Sequence, residues 1–432
     1  MADFREGAER SVSLFEKCDE YTLAHEVRAL GVYPYYHAIE ESTATEARIC
    51  GQWKIMVGSN NYLGLTHHPA VQAAARAAMS KYGTGSTGSR LLNGTIDLHE
   101  QLEARFARFF HKEAALVFTT GYQASLGALA PLVGRDDHLF LDRLDHASLV
   151  DGARLAHGTV HRYAHGDFQG LARQLALAEG HGGRLIVTDG VFSMEGSIVD
   201  LPRLVAVARE HGAALLVDEA HAVGVLGARG EGTAHHFGVE DEVDLIMATF
   251  SKSLASVGGV VAGPAPVIDY MRHHARSLIY TASMPPASVA GVLAALDILE
   301  REPERRERLW ANTRRVADGL RSLGLDLGAS QTPIIPVLVG DTMRSLQAWR
   351  ALFDEGVFTH PIVPPAVPPN AARIRVSMTA EHTDEQIDRV LEAFARVSRT
   401  QALSHSGETP SVLDIAAAVA SAHRSQVNDA AR

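Results

Sequence analysis

Asp244-Leu-Ile-Met-Ala-Thr-Phe-Ser-Lys-Ser-Leu-Ala-Ser-Val-Gly-Gly-Val-Val-Ala-Gly263 sets a lysine, Lys252, between two apolar, β-branched runs. The first run has strand length and ends in the small hydroxylated residues Thr249 and Ser251, and a Gly258-Gly259 pair follows. An ammonium in that setting is partly desolvated, which lowers its pKa and leaves a nucleophilic amine. A Schiff-base lysine requires those conditions. The chain has only five lysines, and Lys17, Lys54, Lys81 and Lys112 lie in polar or mixed stretches where a solvated ammonium costs nothing.

Outward from this segment, short apolar runs alternate with helical patterns. Strand-like runs occur at Ala114–Phe118, His138–Leu141, Arg184–Val187, Ala213–Val217 and Leu245–Ala248. Helical stretches include Pro69–Tyr82, Leu98–Phe110, Leu171–Glu179 and Leu201–His211. Such alternation predicts an α/β fold with a mainly parallel sheet covered on both faces, and ligands bound at the carboxyl ends of its strands. Residues 1–58 read as an N-terminal arm with a hairpin-like pair around Gly51, and residues 59–300 as the large domain. Helices from Pro285 to Leu299 and Pro303 to Leu323 lead into a small α+β C-terminal domain, 301–399, with strands Pro333–Leu338 and Arg373–Met378 and helices Thr342–Glu355 and Asp384–Ser398. The tail, 400–432, carries one amphipathic stretch, Val412–Ala422, between polar segments, and is expected to be poorly ordered.

The 432 residues, 46% hydrophobic and 21% charged, belong to a soluble globular chain with a sizeable core. No apolar run approaches the roughly 20 residues of a membrane span, so any membrane contact is at most peripheral. The first ten residues are too polar for a signal peptide. Two cysteines, Cys18 and Cys50, cannot build a disulfide framework and point to the cytoplasm. A net charge of −11 argues against nucleic acid as a partner. Arginine supplies 35 of the 40 cationic residues, which suits small anionic ligands bound in a fork.

Three motifs point elsewhere and fail on context. Gly83-Thr-Gly-Ser-Thr-Gly88 spells a dinucleotide fingerprint, but a helix rather than a strand precedes it. Asp218-Glu-Ala-His221 spells the acidic box of some ATPases, yet the chain has no Gly-Lys phosphate loop. His157, His161 and His165 are spaced as helical metal ligands, but Gly158-Thr-Val160 and Tyr163 favour an extended chain that splays them apart. The His235–His236 pair reads as surface. No metal site is expected.

The strand ends carry a different set. Asp218 closes Ala-Ala-Leu-Leu-Val and suits a carboxylate that keeps a pyridine nitrogen protonated; a capping role after the strand is an equal reading from the segment alone. His146, in Asp142-Arg-Leu-Asp-His-Ala-Ser148, is a flat group able to stack on a ring. Gly121 and Tyr122, with Thr249 and Ser251, offer neutral donors for a phosphate. Arg375, in the strand Arg-Ile-Arg-Val-Ser, is the fork for a substrate carboxylate, and Arg373 points the same way. With Lys252, these are the five parts a pyridoxal phosphate enzyme asks of its protein.

From about residue 30 to 400 the chain resembles the α-oxoamine synthase family of fold-type I pyridoxal phosphate (PLP) enzymes. The resemblance rests on Ser59-Asn-Asn-Tyr-Leu-Gly-Leu65, Gly88-Ser-Arg-Leu-Leu-Asn-Gly-Thr95, Asp145-His-Ala-Ser148, Asp189-Gly-Val-Phe-Ser-Met-Glu-Gly196, Val217-Asp-Glu-Ala-His-Ala-Val-Gly224, Thr249-Phe-Ser-Lys252 and Arg375-Val-Ser-Met-Thr-Ala-Glu-His-Thr383. It implies a homodimer with active sites at the subunit interface. It puts Lys252 on the cofactor, Asp218 on the pyridine nitrogen, His221 and Ser193 near the ring hydroxyl and His146 on the ring face. Asn60 and Arg375 would lie near the substrate carboxylate, and Thr281 would reach the phosphate of the neighbouring subunit.

The implied reaction is a decarboxylative condensation of an amino acid with an acyl-CoA. Thr-Phe-Ser-Lys-Ser253, Tyr280-Thr-Ala-Ser-Met-Pro-Pro286, Arg306-Glu-Arg-Leu-Trp-Ala-Asn312 and Ala-Glu-His-Thr383 are most similar to bacterial members that join L-serine to a long-chain acyl-CoA. Those members carry an arginine directly before a Pro-Pro-Ala-Thr-Pro-like loop, where this chain has Val363 before Pro364-Pro-Ala-Val-Pro368. An alanine- or glycine-using member is therefore the alternative. A regulatory subunit or an aminotransferase of the same fold is a further one, though an inactive subunit would be expected to lack Lys252.

Overall fold

A computed structural model of the protein describes residues 14–178, 182–399 and Leu403. Seven strands form the large sheet: β1 (Ala114–Phe118), β2 (His138–Asp142), β3 (Thr159–Tyr163), β4 (Arg184–Asp189), β5 (Ala214–Asp218), β6 (Leu245–Thr249) and β7 (Gly259–Gly263). Their order is β1-β7-β6-β5-β4-β2-β3. All neighbours are parallel except β7, which runs antiparallel to both β1 and β6.

Burial on both faces explains the unbroken apolar runs of the sequence. Ile186, Leu215, Val217, Ile246, Ala248 and Val260 point into one core. The intervening Leu185, Val187, Leu216, Leu245, Met247 and Val261 point into the other, on the opposite face. Every residue of β6 and β7 is buried. Two of the seven strands, β3 and β7, are absent from the strand-like runs given ranges above, although the sequence marks an extended chain around His161 and an apolar run after Lys252. β3 is an edge strand with mostly exposed or half-exposed side chains, so its apolar signal is weak. β7 was visible as an apolar run, but its glycine-bounded ends carry no strand propensity. The extended conformation expected around His161 is borne out by β3.

Beyond the long helices Pro286–Arg301 and Pro303–Ser322, a three-stranded antiparallel sheet is formed by β8 (Ile334–Gly340), β9 (His360–Ile362) and β10 (Ala372–Ser377), with β10 in the middle. Helices Thr342–Asp354 and Asp384–Ser398 follow as expected. The hairpin around Gly51 pairs Glu46–Ile49 with Gln52–Met56. The second of these strands also pairs, in parallel, with Val357–Phe358, so the N-terminal arm is stitched to the C-terminal part of the chain. The Val412–Ala422 stretch lies outside the described residues. Among the described residues no helix is long and apolar enough to cross a membrane.

Two lysines correct the sequence reading. Lys54 is 2% exposed and its ammonium donates to the Phe353 carbonyl at 2.8 Å. Lys112 donates to the carbonyls of Glu240 and Val243 at 2.7 and 2.6 Å. Main-chain oxygens brought together by folding replace the water assumed for both. Lys252 is therefore not the one dehydrated lysine of the chain.

Candidate active site

A cavity of about 300 Å³ opens at the carboxyl ends of β4, β5 and β6 and is lined by Lys252, Asp218, His221, His146 and Ser193. Lys252 sits in the turn between β6 and β7, in contact with the cavity. Burial lowers its amine to about 8, and Asp218 and Asp189 only partly offset that loss. Asp218 ends β5 and is 4% exposed. Burial raises its carboxyl, while the Lys252 ammonium and the Ala220 amide, at 2.9 Å from Oδ1, pull the other way. A buried carboxylate in this position is stabilised by a cationic ring nitrogen placed against it.

One end of the cavity is built from a helix start. Gly121 opens the helix Gly121–Leu132, and Thr120 caps it by accepting from the Gln123 amide at 3.1 Å. The first-turn amides of Gly121 and Tyr122 have no partner within the helix, and both residues line the cavity, an arrangement able to receive an anion. Thr249 and Ser251 join them, their hydroxyls 3.0 Å apart. A Cβ at position 121 would come within 2.6 Å of Thr249 Oγ1, so glycine is what allows this close approach. The dehydrated amine, the buried carboxylate and the neutral anion cradle together fit PLP.

His146 caps the helix Ala147–Leu155 and faces the cavity. Its Nδ1 is 2.8 Å from Ser148 Oγ, which in turn lies 3.0 Å from Ser125 Oγ, so the ring is held from below. His221 is buried, and its basicity falls well below the ordinary value because of burial first and the Lys252 and Arg375 cations second. Its Nδ1 lies 2.8 Å from the hydroxyl of Tyr62. Burial pushes that phenol up to about 12.

Arg375 is 5% exposed and donates from Nε to the Ser193 carbonyl and from NH2 to Asn60 Oδ1, both at 2.9 Å. It acts electrostatically on both Lys252 and His221. Arg373 is turned to the Met194 carbonyl and Glu195 instead, so the two arginines are not equivalent. Thr281 does not line the cavity of its own chain; its hydroxyl accepts from Gln123 Nε2 at 3.0 Å. Sequence reasoning missed Tyr62, Ser148 and Asp189 as parts of this site. All three stand inside the segments that carry the family resemblance, but nothing in a segment says which side chain faces inward.

A second cavity, of about 1000 Å³, lies against the same segment. Ser59 and Asn61, on either side of Asn60, form part of its wall with Met56, Leu346, Phe358 and Val363, and the arm residues Val27 and Tyr33 close it.

Comparison with known proteins agrees with this geometry. A family model described as aminotransferase class I and II matches residues 53–394. The serine palmitoyltransferase of Sphingobacterium spiritivorum is 48% identical over 384 residues, 89% of this chain and 96% of that protein. The 8-amino-7-oxononanoate synthase of Symbiobacterium thermophilum is 43% identical over 374 residues, 86% of this chain and 95% of that protein. Among solved structures, the Sphingomonas wittichii serine palmitoyltransferase superposes with a TM-score of 0.87 at 38% identity, covering 90% of this chain and 98% of that one. A high-resolution structure of SPT with PLP internal aldimine gives a TM-score of 0.88 at 37% identity, with the same coverage. The chain thus belongs to the aminotransferase class I and II family and, within it, to the α-oxoamine synthases.

Proposed function

We propose that the protein is a PLP-dependent acyltransferase that condenses L-serine with a long-chain acyl-CoA, releasing CoA and CO₂ and leaving an aminoketone. The observation that carries this reading is one cavity in which a lysine lowered to about 8 meets a buried aspartate, in a chain 48% identical to a serine palmitoyltransferase. PLP bound through Lys252 supplies a sink for the charge that develops at the amino acid's Cα. The remaining work falls to the side chains.

Lys252, freed when the amino acid takes its place, removes the Cα proton, and an amine near 8 is well matched to that task. With PLP bound, Asp218 would keep the ring nitrogen protonated and His146 would offer a flat face to the ring. Arg375, fixed by Ser193 and Asn60, fronts the amino acid carboxylate. A bond then forms from Cα to the acyl carbon, the carbon–sulfur bond breaks, and CoA leaves. Loss of CO₂ and return of a proton to Cα complete the cycle. The apolar cavity of about 1000 Å³ beside Asn60 is assigned to the acyl chain.

In this reading residues 59–300 hold the cofactor and 301–399 form the small lobe, with Thr281 reaching the phosphate of a second copy in a homodimer. Cys18 and Cys50 are both free and exposed, which suits the cytoplasm. Val363, where an arginine is expected, favours a second reading as an alanine- or glycine-using enzyme, and 8-amino-7-oxononanoate synthases are among the relatives.

CoA release by the holoenzyme, with serine, alanine and glycine each paired against palmitoyl-, pimeloyl- and acetyl-CoA, tests the proposal. Turnover with serine and palmitoyl-CoA is expected. Turnover with alanine or glycine alone moves the enzyme to the second reading. Amino-group transfer to a keto acid without thiol release would overturn both.

A further inference from the structure

His111, His235 and Glu240 each bring one ligand atom to within 4.8 Å of the others, at the opposite end of the large sheet from the cofactor cavity. They come from three segments. His111 follows the helix Asp97–Phe109 and leads into the start of β1. His235 lies in the short helix Thr233–Phe237, and Glu240 opens the 3-10 turn Glu240–Glu242 that leads into β6. The two imidazoles meet edge to face with centroids 4.9 Å apart.

Polar atoms at this place are left without partners. Both ring nitrogens of His235 and Oε2 of Glu240 are buried and make no hydrogen bond. Buried polar groups are ordinarily satisfied, so an imidazole with neither nitrogen bonded stands out. Two imidazoles and one carboxylate are a zinc-type ligand set that leaves a fourth position for water.

One competitor is present. Arg229 donates from NH2 to Nε2 of His111 at 3.0 Å and from Nε to Glu231 Oε1 at 2.8 Å. A cation taking that nitrogen of His111 displaces only the first contact, and Glu231 retains the guanidinium. Lys112 is held on the main-chain carbonyls of Glu240 and Val243, so the Glu240 carboxylate is not committed to it.

We propose that His111, His235 and Glu240 form a binding site for one divalent transition cation of the zinc class. The bound cation clips the ends of two helices to the turn that feeds β6. The helix Thr233–Phe237 is also held at its start by Glu219, the residue after Asp218, which accepts from the amides of Thr233 and Ala234 at 2.7 and 2.9 Å. The clip therefore braces the frame behind the active site without entering it.

The test uses the full-length holoenzyme after chelator treatment, titrated with zinc chloride, with cobalt chloride as a spectroscopic probe. Wild type should bind one equivalent that raises the Tm and gives the visible cobalt absorption of a tetrahedral nitrogen–oxygen site. His235→Gln and Glu240→Gln should each lose that equivalent and the Tm rise, while metal-free CoA release stays at the wild-type rate. Any equivalents bound elsewhere persist in all variants. Arg229→Ala should tighten binding roughly tenfold by removing the competing hydrogen bond. Equal binding by wild type and His235→Gln overturns the proposal. If that variant does not fold, unchanged affinity in Arg229→Ala overturns it instead.

Discussion

Replacing Tyr62 by phenylalanine removes one oxygen, and the structure says what that oxygen does. Tyr62 is 1% exposed, and its hydroxyl lies 2.8 Å from His221 Nδ1. Burial pushes the phenol up to about 12, so at neutral pH it carries its proton. His221, far less basic than usual because of burial and the cations of Lys252 and Arg375, is neutral and can accept. The phenol therefore donates to Nδ1. A neutral imidazole accepting on Nδ1 carries its proton on Nε2, which makes Nε2 the donor offered to the ring hydroxyl in the proposed site. Tyr62→Phe frees the imidazole to adopt the other tautomer, which has no donor at Nε2. Losing a buried hydrogen bond of this kind costs about 1–3 kcal/mol, equivalent to roughly 5- to 150-fold if it is felt in the transition state. CoA release should show the loss in kcat, with the KM for serine little changed. A visible-range titration of the holoenzyme with pH should shift as well, because the donor to the ring hydroxyl has changed. A variant with lower Tm but wild-type kcat and an unshifted titration would make Tyr62 a packing residue and refute the tautomer argument.

Three further outcomes follow from the same groups. Lys252→Met should stabilise the cofactor-free protein: a lysine lowered from 10.5 to about 8 leaves the unfolded chain binding more protons between those values, so the wild type gains stability as pH rises through that window. Denaturant unfolding should show a gain for the variant that is full below about pH 8 and gone above 10.5, and an equal gain at all pH values would point to packing instead. Glu219 behaves with the opposite slope, because burial raises its carboxyl from 4.5 to about 7 and the folded chain holds more protons in that range. Wild-type stability should therefore fall as pH rises from 4.5 to 7, and Glu219→Gln should remove that fall in a urea-unfolding series. Leu346→Trp narrows the cavity of about 1000 Å³ and should shift the preferred acyl-CoA to shorter chains with the KM for serine unchanged; an identical chain-length profile would place the acyl group elsewhere.

Sequence pattern exposed the strand ends better than the strands' partners. Asp218 and Thr249 were legible because each closes an apolar run, and parallel sheets put functional groups at that end. Arg373 and Arg375 could not be separated by a period of two, since both point to one face of β10; the contacts of Arg375 with Ser193 and Asn60, 182 and 315 positions away, distinguish it from Arg373, which turns to Met194 and Glu195. Tyr62 is 159 positions from His221, so no local signal couples them, and Glu219 was read only as one letter of an acidic box. The same limit applied to Lys54 and Lys112, whose ammonium groups are satisfied by carbonyls with no side-chain signature. A residue whose partner is a main-chain atom, or lies far along the chain, is invisible to composition and periodicity because neither records distance. The unpartnered nitrogens of His235 are the converse case. The His235–His236 pair reads as surface in the sequence, and only folding places one of the two beside His111 and Glu240 with its ring nitrogens still free to bind.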